Sequence, residues 1–381
     1  MDRLLNRYAD KTLRKKVRLI NHILTALSFL LLGVNFLLYS FFKVEFSRDI
    51  ARVVAMELMV IDVLFLRYCG KEFDFSHVLL FAFGAALVFL PSQSSANIGF
   101  LLMMSALLLM AESNVKEVAF FCMAALIALV IFSLVCGFVT FNTDLSGGRV
   151  RYTLGFSNVN AASVFFMSLV FCYMVAVKPD LLDMIPVAGF IVLLFLITDT
   201  RSMIFGGALL VAAYCAFYLL KKKRKAYKTL SYIVLGAEIL FFFSPVILTV
   251  FHDFFMQFNE LFSSRIKINY EYLLGHTFWN FLFGGSNRGE IDYFYEVLLL
   301  NCGVFVYAGV GALSVWRTYA LLRAKEIEKA VFIFAVLCTE LVEGNLLRPE
   351  LLFVIVFWFI VFDYKKPCGM LSKEFADQRL K

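Results

Sequence analysis

Long apolar blocks separated by short polar segments follow one another along almost the whole chain. Each block is a continuous run of hydrophobic residues without the alternation of a β-barrel strand. A helix needs roughly 20 residues to cross a hydrocarbon core about 30 Å thick. The pattern therefore predicts an all-α, polytopic transmembrane protein with about 12 spans. The expected spans are 19–42, 49–67, 77–91, 97–112, 117–140, 157–177, 184–200, 202–220, 229–251, 291–316, 330–347 and 349–364.

Several of these expected spans contain acidic residues, among them Glu238 in the ninth. Glu57 and Asp62 lie in the second, and Glu340 and Glu343 lie near the end of the eleventh. Ionisable residues inside a membrane are costly and usually functional. Packing of these acids against one another, or against an aqueous cleft, would account for them equally well. Their role is left open.

The longest polar segment is 252–290, between spans 9 and 10. Within it, apolar residues recur at helical spacing, which predicts a helix lying in the membrane interface. These residues are Phe254, Phe255, Phe258, Leu261 and Phe262. We expect a single integral membrane domain over 1–381 in which 252–290 forms the large extracytoplasmic loop.

Charge sets the orientation of the spans. Most of the 36 basic residues fall in alternate loops and at both ends, which predicts that this side and both termini are cytoplasmic. The formal charge of +7 is explained by this orientation and gives no reason to expect a nucleic-acid partner. A few arginines fall on the opposite side. Among them are Arg149, Arg151, Arg201, Arg265 and Arg348.

Arginines that break the orientation rule are candidates for binding an anionic substrate. A guanidinium stays charged and holds phosphate through two donors. Arg201 lies in the short turn Thr198–Ser202 between two expected spans. An arginine that reaches for the interface, or pairs with Asp199, is the alternative interpretation.

Arg151 precedes a segment suited to the start of a helix. Gly155 allows a chain reversal, and Asn158 and Asn160 offer side-chain caps. Asp292 opens the tenth span, where an acidic residue either stabilises the helix dipole or acts as a general base.

Three blocks in order resemble the O-antigen ligase and polymerase family, in particular the Wzy-type polysaccharide repeat-unit polymerases. The first block is Arg151–Asn160, and the second is Thr198–Ser202. The third runs from Ser264-Arg265 through Phe283-Gly284-Gly285 and Ile291–Tyr295 to Gly303. Ligases of this family carry a histidine near the position of Asp292. This chain does not, so the resemblance favours a polymerase.

The resemblance implies a GT-C-like, metal-independent glycosyltransferase without a cofactor, in the bacterial cytoplasmic (inner) membrane. It would join oligosaccharide repeat units linked to undecaprenyl diphosphate at the outer face, for a capsule, an exopolysaccharide or O-antigen. A flippase and a chain-length regulator would be its protein partners. The implied catalytic residues are Arg201, Asp292 and Arg265. The implied substrate-binding residues are Arg151, Gly155, Asn158, Asn160, Ser202 and Tyr295.

Two alternatives stay open. A ligase would transfer the sugar chain to another acceptor. A transporter of polysaccharide or another anion would fit the span number and the intramembrane acids, although transporters often show two related halves, which this sequence does not.

Overall fold

The computed structural model describes residues 11–42, 47–68, 115–138, 143–144, 150–259, 265–284, 293–346 and 348–362. The expected spans 77–91 and 97–112 lie outside these ranges. The helices are α1 (Lys11–Phe42), α2 (Ser47–Tyr68), α3 (Val115–Val135), α4 (Val159–Val177), α5 (Met184–Thr198), α6 (Arg201–Leu220), α7 (Arg224–Val250), α8 (His252–Met256), α9 (Arg265–Leu274), α10 (Phe278–Phe283), α11 (Phe294–Arg323), α12 (Ile327–Thr339) and α13 (Leu352–Phe362). Strands β1 (Thr143–Asp144) and β2 (Arg151–Tyr152) form an antiparallel pair.

Within the described ranges, five helices are long and apolar enough to cross a membrane: α1, α3, α4, α7 and α11. Shorter apolar helices are α5, α13 and the part of α6 from Phe205 to Leu220. Large apolar side chains such as Phe121 and Phe132 are exposed on these helices, as expected where lipid surrounds the protein. The prediction of an all-α, polytopic membrane protein is confirmed.

Helices α4, α12 and α13 form the centre of the packing. The ring of Phe171 on α4 lies 6.1 Å from that of Phe332 on α12 and 5.6 Å from that of Phe353 on α13. The helix α13 is buried from Leu352 to Val361. A helix that is apolar on every side and also buried on every side belongs to the interior of a bundle.

Ion pairs join three helices at one end of the bundle. Lys178, after the last residue of α4, lies 2.7 Å from the Glu328 carboxylate on α12. Lys116 on α3 lies 3.9 Å from the same carboxylate. The hydrogen bond to Glu328 raises the pKa of Lys178 above its usual value. Loops that the charge pattern places on one side thus meet at one end, which we call the lysine end.

The eleventh expected span, 330–347, is too long. Helix α12 ends at Thr339, and the described residues 340–346 and 348–351, which are non-helical, lead to α13. The carboxylate of Glu340 accepts hydrogen bonds from the backbone N–H groups of Asn345 and Leu346, at 2.8 and 3.0 Å. This carboxylate thus satisfies amides that a continuing helix would have bonded internally. The chain can therefore leave the helix inside the protein.

The expected interfacial helix is also broken. In the first part of the expected helix, only the short α8 is helical. After it, the N–H groups of Gln257, Phe258 and Asn259 donate to the carbonyls three residues earlier, which forms tight turns. Leu261 and Phe262 lie outside the described residues. Phe254 and Trp279 are exposed, which is compatible with a surface that lies in the membrane interface.

Candidate functional site

The segment that contains Arg151 is a short hairpin followed by a turn. Arg151 lies opposite Asp144 in the backbone register of the two strands, and its own side chain is half-buried. Phe156 N–H donates to the Thr153 carbonyl at 2.9 Å, and the residues between them have positive φ angles, 51° at Leu154 and 86° at Gly155. Glycine adopts such angles without steric cost. The expected chain reversal at Gly155 is confirmed.

Asn158 begins helix α4. Its side-chain oxygen accepts the N–H of Ala161 at 2.7 Å, so the expected cap is confirmed for this asparagine. Asn160, in the first turn, is exposed. Its amide is therefore accessible beside the start of α4, where backbone N–H groups favour an anion.

The turn that contains Arg201 is as short as expected. Helix α5 ends at Thr198, and α6 begins at Arg201. Asp199 adopts a left-handed conformation with φ of 48°, and Thr200 is extended. Arg201 is exposed at the first position of α6, while Thr200 is buried. The backbone of Ser202 lies in the same first turn.

One buried hydrogen bond connects these two segments. Ser163, in the second turn of α4, donates to the Thr198 hydroxyl at 2.8 Å. Thr198 in turn donates to the Leu194 carbonyl of its own helix at 2.7 Å. The start of α4 and the Arg201 turn therefore lie side by side, at the end opposite the lysine end. We call this the arginine end.

Arg265 is the first residue of α9, which packs against α8 and the last part of α7. The imidazole of His252 stacks on the ring of Tyr270, with centroids 3.6 Å apart. The side chain of Asn259 accepts the N–H of Lys267 at 3.0 Å. The α9 backbone is thus fixed beside the end of α7, which also places Arg265 at the arginine end.

Two glycines of the third block lie in direct backbone contact. A Cβ atom on Gly303 would lie 2.8 Å from the Phe283 carbonyl carbon and 2.9 Å from the Gly284 nitrogen. A Cβ atom on Gly284 would equally meet the backbone of Asn301 and Cys302. Both have positive φ, 79° at Gly284 and 81° at Gly303. The end of α10 therefore packs on α11 where only glycine fits.

Asp292 lies outside the described residues, but the residue that follows it is firmly held. The Tyr293 hydroxyl donates to the hydroxyl of Ser244 on α7, which donates to the Phe241 carbonyl. Proline at 245 has no N–H, so this carbonyl lacks its normal helical donor, and Ser244 replaces it. The chain next to Asp292 is anchored to this interruption in α7.

Tyr295 is fully buried, and its hydroxyl donates to the Leu337 carbonyl of α12 at 2.7 Å. The ring of Phe242 lies 5.0 Å away, edge to face. These contacts make Tyr295 a packing residue between α7, α11 and α12. These packing contacts do not test the expected contact of Tyr295 with substrate, which stays a prediction.

The acidic residues of the second and eleventh expected spans lie in different environments. Asp62 is buried and accepts from Asn21 at 2.6 Å, which ties α1 to α2, whereas Glu57 is exposed. Glu343 is buried, and its backbone carbonyl accepts the N–H of Phe294 at 3.3 Å. The segment Glu340–Leu351 thus touches the first turn of α11, two residues after Asp292.

Sequence reasoning missed one buried ion pair. Arg52 on α2 pairs with Glu350 before α13, with its Nε 2.6 Å from the carboxylate. Both side chains are buried. The signal in the sequence was Glu350 between two apolar runs, since an acid there requires a partner.

The arginine end brings together groups that favour an anion. Arg201 is exposed, Arg151 is half-buried, and backbone N–H groups at the start of α4 and α6 carry partial positive charge. Comparisons with protein-family models, curated proteins and solved structures find no match. A function can therefore be inferred only from the residues of this chain.

Proposed function

We propose that this protein is a polysaccharide polymerase, a glycosyltransferase that joins oligosaccharide repeat units carried on undecaprenyl diphosphate. It would work at the outer face of a bacterial cytoplasmic membrane, with about 12 spans and both termini in the cytoplasm. The observation that supports this most directly is the hydrogen bond from Ser163 to Thr198 at 2.8 Å. It brings the segment after Arg151 and the turn of Arg201 to the same end of the bundle.

In the proposed reaction, a hydroxyl of the acceptor unit attacks the anomeric carbon of the donor chain. The bond from that carbon to the diphosphate oxygen breaks, and the lipid diphosphate leaves with the electron pair. Arg201 and Arg265 hold the departing diphosphate, and Arg151 completes or shapes that site. Guanidinium groups placed where charge develops stabilise the transition state by about 3 kcal/mol per good donor pair.

Asp292 would orient the acceptor hydroxyl or accept its proton. The anchoring of Tyr293 to Ser244 supports this role, because it limits movement of the neighbouring backbone. The contact between Gly284 and Gly303 has the same effect on the loop that carries Arg265 and Asp292. Both sides of the proposed site are then attached to packed helices.

The test replaces Arg201 with alanine and follows lipid-linked sugars in cells that make the polymer. We expect single repeat units on lipid to accumulate and long polymer to disappear. Arg201→Lys keeps the charge but loses the two-donor geometry, so we expect partial loss. Polymer of normal length in Arg201→Ala would refute the role of this residue.

The matched control is Lys267→Ala. Lys267 is an exposed cation of α9, two residues after Arg265, with no assigned role. Its removal changes the local charge by the same amount. Normal polymer in this variant, at equal membrane abundance, would show that the effect of Arg201 is not a general effect of lost positive charge.

A transporter is the second candidate, and one observation favours it. The non-helical segment between α12 and α13 carries the buried acids Glu340, Glu343 and Glu350. Interrupted membrane helices of this kind often form substrate or ion sites in transporters. Glu340→Gln would then abolish flux of lipid-linked or free anionic saccharide across sealed vesicles. Under the polymerase proposal, the wild-type protein forms new glycosidic bonds without any gradient.

A further inference from the structure

An open groove lies at the lysine end, where α6 ends and α7 begins. Its volume is about 730 Å³. The turn between the helices is short, since Lys223 N–H donates to the Leu220 carbonyl at 2.8 Å. Lys223, Arg224 and Lys225 line one part of the groove, and all three are exposed. Parts of three basic residues therefore line one concave surface.

Apart from Thr229, the remaining wall of the groove is apolar. Ala226, Leu230 and Ile233 line it and follow one face of α7 at helical spacing. At 1.5 Å per residue, this wall extends about 10 Å along the helix from Ala226 to Ile233. Ile233 is 61% exposed, although it faces the apolar part of the groove. The groove thus has three basic residues where α7 begins and mainly apolar side chains further along that helix.

The basic residues of this turn have no acidic neighbours in the sequence around them. The sequence contains six basic residues between 221 and 228, and no acidic residue from 200 to 237. Among the ion pairs that the described residues form, none includes any of these six. Orientation in the membrane explains basic residues in this loop. It does not explain why three of them line a groove with a hydrocarbon wall.

We propose that this groove binds an anionic phospholipid from the membrane leaflet at the lysine end. The lipid phosphate would contact Lys223, Arg224 and Lys225, with the Arg224 guanidinium giving two donors. An acyl chain would lie along Leu230 and Ile233. A zwitterionic lipid also carries a cationic group, and that group has no acidic partner in this turn. The groove should therefore prefer a lipid with net negative charge.

The other cations of the turn provide a control surface. Lys221 lies over the ring of Tyr218 at 5.9 Å, and Lys228 lies over the ring of Tyr232 at 5.6 Å. Neither lysine lines the groove, nor does Lys222. These three residues have the same charge as the groove residues and lie in the same turn. Substitution of these three residues therefore distinguishes a specific lipid site from lipid binding to a generally basic surface.

The experiment places a photo-crosslinking amino acid at Thr229, which lines the groove, or at Tyr232, which does not. The full-length protein is reconstituted in nanodiscs of phosphatidylglycerol and phosphatidylcholine in equal amounts. After irradiation, mass spectrometry identifies the crosslinked lipid. We expect phosphatidylglycerol to be enriched at Thr229 and much less at Tyr232.

Each position is then combined with two triple variants. Lys223→Gln/Arg224→Gln/Lys225→Gln should lower the phosphatidylglycerol enrichment at Thr229 at least about tenfold, since each cation contributes about fivefold. Lys221→Gln/Lys222→Gln/Lys228→Gln should preserve it. Equal enrichment at Thr229 and Tyr232, equal loss in both triple variants, or no preference between the lipids would each overturn the proposal.

Discussion

The buried ion pair of Arg52 and Glu350 allows a test of what stabilises the non-helical segment between α12 and α13. The Arg52 Nε lies 2.6 Å from the Glu350 carboxylate, and the two side chains are only 7% and 5% exposed. The pair joins α2 to the start of α13, across nearly the whole sequence. We replace Glu350 with glutamine, Arg52 with methionine, or both Arg52 and Glu350 with methionine.

Removing one partner takes the closest opposite charge away from the other, which stays buried. Such a change costs about 3–5 kcal/mol of the free energy of unfolding. At roughly 2 °C per kcal/mol for a large chain, the Tm should fall by about 6–10 °C. The double replacement removes both charges and fills the site with apolar side chains, so its Tm should return to within about 3 °C of the wild type.

The assay is differential scanning fluorimetry of the purified protein in one detergent. Glu57→Gln is the matched control, because Glu57 is an exposed acid on the same helix. Its effect should stay within about 0.5 kcal/mol. Losses under about 1 kcal/mol in the single variants, or a double variant that loses the sum of both, would refute the coupling of the two side chains.

Three other substitutions test the fold near the site and at the lysine end, again through Tm. Asn158→Ala should cost about 1 kcal/mol by removing the α4 cap, and Asn158→Asp should keep it; equal losses would argue against capping. Gly303→Ala should cost about 2–3 kcal/mol, because φ is 81° and the new Cβ meets backbone atoms, while Gly309→Ala enters open space and should change stability little. The pKa of Lys178 is raised by Glu328, so the stability from this pair is present below pH 10.5 and is lost as pH rises through the raised pKa. The Tm difference between wild type and Lys178→Gln should therefore disappear at strongly alkaline pH, and a difference independent of pH would contradict this origin.

The helical spans were predictable because a continuous apolar block has few other structures available in a membrane. The expected ranges 157–177 and 184–200 correspond closely to α4 and α5. The lysine end was predictable too, since the loop charges alone grouped Lys116 with Lys178. The turn at Gly155 and the Asn158 cap followed from local chemistry, which depends on only a few neighbouring residues.

The interruption after α12 could not be predicted from hydropathy, because the block 330–347 remains apolar enough to continue. What ends the helix is the Glu340 carboxylate, which accepts two backbone N–H groups five and six residues later. The Arg52–Glu350 pair depends on residues that are far apart in sequence, which no local pattern reveals. The role of Pro245 likewise depends on Ser244, in the same helix, and on Tyr293, which precedes α11 and lies far away in sequence.

The most direct test of the proposed function is the reaction of the purified full-length protein with lipid-linked repeat units. The products are separated by size on a gel. The polymerase proposal predicts a ladder of regularly increasing chain length that is lost in Arg201→Ala and kept in Lys267→Ala. Transfer of a single unit to another acceptor would indicate a ligase. The absence of any new glycosidic bond, with folded wild-type protein and intact substrate, would contradict the proposed activity.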